Sequence, residues 1–149
     1  HDVIRRQRQM CIRDRYMALM TIAKGRSKIT ETIFENRMNH VDLLNQMGSS
    51  IIVKNNIAHI NGVKKLRGMT LVGSDLRSSA ALIIAALISN NISCVYGLEH
   101  LDRGYENFEL KLSHLGVDIT RETNSKILKE TNDESSHQIK KNLLNIEAA

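Results

Sequence analysis

Apolar residues along the chain fall into short blocks, most of them punctuated by glycine, and their period changes from block to block. Met17–Lys24 is apolar over two turns and stops at Gly25, which predicts a helix closed by a left-handed glycine. Ser27–Ile33 alternates around Ile29 and Ile33, a short strand. Leu43, Leu44 and Met47 gather on one side of a helix over Val41–Met47, closed by Gly48. Ile51–Lys54 and Ile57–Ile60 flank Asn55 and Asn56, the pair that a tight hairpin turn prefers. A strand over Met69–Val72 follows. The run from Ala80 to Ile88 then has no polar face, which predicts a buried helix starting near Leu76. Ile92–Val95 is a strand. Glu106–Leu115 is an amphipathic helix carrying Phe108, Leu112 and Leu115, and Val117–Thr120 a last strand.

The blocks repeat at an offset of about 66 to 68 residues. "MALMTIAKGRSKIT" lies over "IIAALISNNISCVY", and "ENRMNHVDLLNQMGSSIIV" over "LDRGYENFELKLSHLGVDIT" with a short insertion. Each unit has the order buried helix, strand, arginine-bearing loop, amphipathic helix, strand. The unit is too long for a solenoid repeat and predicts a duplicated α/β subdomain over residues 16–121. The two ends differ. "HDVIRRQRQMCIRDR" has neither helical nor strand periodicity, so residues 1–15 are expected to be a non-native or disordered leader. Residues 122–149 are polar and predict a loose tail, with Ile139, Leu143 and Ile146 spaced for a short terminal helix.

Composition narrows the function classes. An apolar fraction of 42% supports a core, and aromatics at 3% disfavour stacking platforms for single-stranded nucleic acid. The net charge of +5 is concentrated in the leader, where five arginines face Asp2 and Asp14, so no nucleic-acid partner is expected. Ala80–Ile88 falls short of the roughly 20 residues that span a bilayer, and no membrane partner is expected. Cys11 and Cys94 are far apart, and Cys94 sits in an apolar strand as an inert core thiol. His40, His59, His100 and His114 lack ligand spacing, are expected at the surface or hydrogen-bonded, and predict no metal site.

Three arginines sit at element boundaries: Arg37, Arg77 and Arg103. Guanidinium forks match phosphate and carboxylate oxygens, so three converging side chains would bind a small multiply charged anion. The same residues would equally serve as surface ion pairs, for instance Arg103 with Asp102 or Glu106. Ser74 and Asp75, directly before the buried helix, are both candidate helix caps, and Asp75 is either a cap or part of a site. Glu106 complements the dipole of the helix it opens, and Gly104 lets the backbone turn close to a ligand.

"MALMTIAKGRSKITETIFENRMNHVDLLNQMG", "GSDLRSSAALIIAAL" and "HLDRGYENFELKLSHLGVDITR" resemble the C-terminal part of the UDP-N-acetylglucosamine 1-carboxyvinyltransferases, a family of enolpyruvyl transferases. The resemblance runs from Tyr16 to about Arg121. It implies repeated βαβαββ units of the inside-out α/β barrel, present here as a partial domain. It also implies transfer of the enolpyruvyl group of phosphoenolpyruvate to the 3′-hydroxyl of UDP-N-acetylglucosamine, with no cofactor, in the bacterial cytoplasm. Position by position, Arg77 of "DLR" and Arg103 of "DRGYE" would grip phosphoenolpyruvate, with Asp75 seating the loop. Arg37 of "FENR" would act in turnover, and Ile33 and Phe34 would contact the uridine nucleotide.

The departures from that family are local and specific. Its "PTDMQAQ"-like string, which carries a candidate general base, is replaced by "QMCIRDR"; Cys11 stands at the aligned position, and Asp14 is out of register and inherits no role. The N-terminal domain, with its cysteine loop and most of the nucleotide pocket, has no counterpart in this sequence and would be the missing partner. The expectation is therefore a fragment without transferase activity on its own. The competing reading is a non-catalytic binding or regulatory module that reuses the fold.

Overall fold

In the computed structural model, residues 12–32, 38, 40–123 and 142–147 are described. Their elements form two units of the same design. The first holds α1 (residues 12–20), β1 (Arg26–Thr30), α2 (His40–Gln46), β2 (Ser50–Lys54) and β3 (Ile57–Asn61). The second holds β4 (Thr70–Val72), α3 (Leu76–Leu87), β5 (Ser93–Tyr96), α4 (Glu99–Asp102), α5 (Phe108–His114), β6 (Asp118–Thr123) and β7 (Asn142–Glu147).

Sheet order confirms the duplication. The first sheet runs β1-β3-β2, and the second runs β4-β5-β7-β6. With β1, β3 and β2 laid on β5, β7 and β6, the two orders coincide. The pairs β1–β3, β2–β3, β5–β7 and β6–β7 are all antiparallel. The second unit adds β4, parallel to β5 in the register Thr70↔Cys94. Its order is therefore βαβαββ, with the short α4 inserted before α5.

Local chemistry sets the hairpin of the first unit. Asn55 and Asn56 adopt φ of 47° and 60°, the double left-handed turn that matches strand twist and that asparagine tolerates. In the second unit the corresponding connection, between β6 and β7, contains residues 124–141, which lie outside the described residues. The polar stretch is thus an insertion within a hairpin rather than a tail. Residues 142–147 form a strand, not the expected terminal helix, and Ile146 of β7 is fully buried opposite Ser93 and Ile119. Spacing of 139, 143 and 146 suits a helix locally, but two neighbouring strands with open edges offer ladder partners on both sides.

The core is a single cluster drawn from both units. α3 lies at its centre, with Ala80, Ala81, Leu82, Ile83, Ala85 and Ala86 at 0–1% exposure. Met17, Ala18, Val41, Leu44 and Met47 come from α1 and α2, and Ile51, Ala58, Ile60, Leu71 and Val95 from the strands. The small alanines of α3 let neighbouring backbones approach closely. Each buried leucine or isoleucine contributes about 1.5–3 kcal/mol of apolar transfer.

Three boundaries differ from expectation. The first helix already includes residues 12–15, inside the supposed leader, and it ends at residue 20 rather than 24. The last helix begins at Phe108 rather than Glu106, so Glu106 lies outside it. Phe108 and Leu112 pack against the core, whereas Leu115 caps the helix and is 80% exposed. Among the described residues no helix is long and apolar enough to cross a membrane.

Candidate active site

β4 and β5 are parallel, so their carboxyl ends open on the same side of the sheet, where open α/β sheets present ligand loops. β4 leads into Gly73-Ser74-Asp75-Leu76-Arg77, and β5 into Gly97 and on through α4 to Arg103. The two loops cross at glycines. The Gly73 N–H donates to the Tyr96 carbonyl at 3.0 Å. Gly97, at φ +78°, leaves no room for a Cβ, which would lie 2.4 Å from the Gly73 carbonyl oxygen.

Asp75 is the N-cap of α3. Its Oδ1 accepts from the backbone N–H of Arg77 at 2.9 Å and of Ser78 at 3.1 Å. Ser78 Oγ accepts from the Asp75 backbone N–H at 3.1 Å, which completes a reciprocal capping box. The same carboxylate lies 3.6 Å from Arg77 Nε. Burial pushes the Asp75 carboxyl up, but the Ser78 and Arg77 amides and the Arg77 charge outweigh it and hold it below its ordinary value. Asp75 is therefore a cap first, and through the cap it fixes the start of the helix that carries Arg77. Asp75→Ala is expected to lower stability by about 1 kcal/mol at neutral pH. A depressed pKa contributes stability above the unfolded value, which is lost as pH falls through the folded one. The difference between wild type and variant in urea unfolding should therefore shrink below about pH 4; a pH-independent difference contradicts this assignment.

Arg103 closes α4 and is exposed, and among the described residues it makes no ion pair. The expected surface pairing of Arg103 with Asp102 or Glu106 is not formed. Asp102 is held instead by Arg121, which sequence reading passed over. Gly104 brings this loop onto α3: a Cβ there would lie 2.6 Å from Leu76 Cδ2. The turn that displays Arg103 thus rests on the residue next to Arg77. Behind it, the Tyr105 ring packs on Phe108 with centroids 5.2 Å apart.

The start of α1 reaches this region. The Arg15 guanidinium stacks over the Tyr105 ring at 5.1 Å, and Arg13 pairs with the buried Glu31. Burial pushes the Asp14 carboxyl up against the opposing charges of His40, Arg77 and Arg13. His40, expected at the surface or hydrogen-bonded, is 4% exposed, and among the described residues its Nε2 has no hydrogen-bond partner. Burial lowers its pKa, against the attraction of Asp14 and Asp75. Asp14, His40, Asp75 and Arg77 thus share one electrostatic environment. Nothing in local sequence marks His40 as buried, because its cover comes from other elements.

Ile33, Phe34, Arg37 and Cys11 lie outside the described residues; of the expected set, Asp75 and Arg77 are in contact at the start of α3, and Arg103 lies on the neighbouring turn whose Gly104 packs against Leu76. Cys94 is half-buried in β5, with its thiol pushed up by burial and by Glu122. Among the described residues no group of three His, Cys, Asp or Glu side chains is placed to hold a metal.

Comparison with known proteins follows the same outline. The family model for EPSP synthase (3-phosphoshikimate 1-carboxyvinyltransferase) matches residues 2–112. A UDP-N-acetylglucosamine 1-carboxyvinyltransferase from Prochlorococcus marinus subsp. pastoris is 74% identical over 134 residues, covering 90% of this chain and 29% of the relative. A second Prochlorococcus marinus protein of that name is 68% identical over 128 residues, covering 86% of this chain and 28% of the relative. Among solved structures, the enolpyruvyl transferase NikO from Streptomyces tendae matches with TM-score 0.61 and 28% identity over 68% of this chain and 24% of its own. EPSP synthase from Acinetobacter baumannii matches with TM-score 0.62 and 16% identity over 91% of this chain and 28% of its own, a likeness of fold.

Proposed function

Because this chain belongs to the EPSP synthase family of carboxyvinyl transferases, we propose that it is the part of a UDP-N-acetylglucosamine 1-carboxyvinyltransferase that grips phosphoenolpyruvate. The chain spans less than a third of the length of the curated relatives it matches. The whole reaction therefore needs the remainder of such a protein, including an N-terminal domain. That reaction moves the enolpyruvyl group of phosphoenolpyruvate to the 3′-hydroxyl of UDP-N-acetylglucosamine through a tetrahedral ketal and releases phosphate. It opens peptidoglycan synthesis in the bacterial cytoplasm.

The observation that carries this reading is the seating of the Arg103 turn on Leu76, beside Arg77, at the carboxyl ends of two parallel strands. Phosphoenolpyruvate carries a carboxylate and a phosphate, and guanidinium forks complement both. Held by the cap and by the Gly104 contact, the two cations would keep the charged ends of the substrate in place while C3 is protonated and the sugar oxygen attacks C2. Arg37 would act in turnover, and Ile33 and Phe34 would contact the uridine, by their positions in "TIFENR". No general base is assigned: Cys11 occupies the aligned position in the sequence, and Asp14, half-buried in α1, is three residues out of register.

The chain alone is expected to release no phosphate from phosphoenolpyruvate and UDP-N-acetylglucosamine, as measured by a colorimetric phosphate assay. Turnover by the purified chain would contradict the proposed division of labour between the two domains. The competing reading, a non-catalytic binding module, predicts instead that the segment fails to support turnover when placed in an intact relative.

A further inference from the structure

We propose that Arg121 is a positioning residue that keeps Arg103 available to anions by occupying the carboxylate beside it. The inference rests on the reading of Arg103 as an anion grip and concerns how that grip is kept open. Asp102 precedes Arg103 at the end of α4, and a carboxylate so close would neutralise the guanidinium that the loop displays. The fork of Arg121 takes both Asp102 oxygens, Nη2 to Oδ2 at 2.6 Å and Nη1 to Oδ1 at 2.9 Å. Nη1 also donates to Glu109 Oε2 at 3.4 Å. One cation on β6 thus ties down Asp102 at the end of α4 and Glu109 in the first turn of α5, and Arg103 is left exposed without an ion pair among the described residues.

The arrangement belongs to the second unit alone. Arg121 pairs with Leu144 of β7, and the equivalent place in the first unit, opposite Ala58 of β3, is held by Val53. Valine cannot bind a carboxylate, so the duplicated scaffold does not require a cation at this position. A bidentate fork fixes orientation as well as charge. It therefore also sets the angle at which α4 ends and Arg103 leaves the helix.

The test uses the full chain, the Nε–Hε signals of its arginines in NMR spectra, and inorganic phosphate as probe. Without phosphate, Arg121→Gln is expected to move the Arg103 signal as Asp102 turns to it, and Asp102→Asn in the same chain to move it back. With phosphate, Arg121→Gln should weaken the response of Arg103 about two- to fivefold, the scale of a surface ion pair. The double variant should recover the wild-type response, a rescue that loss of structure would not give. Asp102→Asn alone should leave Arg103 unmoved, because Asp102 is already engaged by Arg121. A shifted Arg103 signal in that variant overturns the proposal even if Arg121→Gln does not fold. An unmoved Arg103 in a folded Arg121→Gln variant overturns it as well, and so does failure of the rescue. If phosphate fails to move Arg103 in the wild type, the anion-grip reading falls, while the phosphate-free spectra still judge Arg121.

Discussion

Gly97→Ala is expected to lower stability by at least about 3 kcal/mol and to displace the loop that leads into α3 and Arg77. Two effects add at this position. The backbone sits at φ +78°, which an L side chain rarely adopts, and the new Cβ would lie 2.4 Å from the carbonyl oxygen of Gly73. That neighbour is backbone, so no side-chain rotation relieves the overlap. Gly73 must move, and it is bonded through its N–H to Tyr96 and leads directly into the Asp75 cap. Gly116→Ala supplies the control. Gly116 has a similar φ of +88° but open space around its Cβ, so only the backbone strain of about 1–2 kcal/mol remains. Urea unfolding of the two variants at constant m separates packing from strain. Equal losses would show that the crossing of the two loops is not tight.

The second large effect concerns the arginines themselves. With residues 16–121 of this chain replacing the matching segment of the Prochlorococcus marinus relative, Arg77→Gln and Arg103→Gln are each expected to lower kcat/KM about 100-fold. Under the proposed function, each would remove one charge-assisted contact to the carboxylate or phosphate of phosphoenolpyruvate. Arg77→Lys is expected to recover little of the loss, because a point charge cannot reproduce a two-pronged contact. Losses below about threefold in both glutamine variants would place the anion elsewhere. Folding of the variants is checked by their unfolding midpoints, since Arg77 also lies 3.6 Å from the capping carboxylate.

Much of this arrangement was legible in the chain because it is written locally. Ser74 and Asp75 before an unbroken apolar run announced the start of α3, whose cap the structure assigns to Asp75, and paired asparagines announced the β2–β3 turn. The offset between the two halves announced the duplication, which the sheet orders then reproduced. What was not legible depends on distant partners. The strand at 142–147 exists because β5 and β6 both offer it a ladder across an insertion. Arginines 13 and 15 suggest a disordered arm until Glu31 and the Tyr105 ring are placed beside them. His40 is buried by elements that its own neighbours in sequence do not reveal. Arg121 lies at the edge of the recognisable motifs, and its meaning appears only once Asp102 and Glu109 are seen to converge on it.

The most direct test of the proposed function is phosphate release by that intact relative carrying residues 16–121 of this chain, with no further substitution. Release that requires both phosphoenolpyruvate and UDP-N-acetylglucosamine, at a rate within about tenfold of the unaltered relative, is the predicted result. A folded chimera that binds neither substrate, or binds them without turnover, would contradict it and leave a binding module in its place.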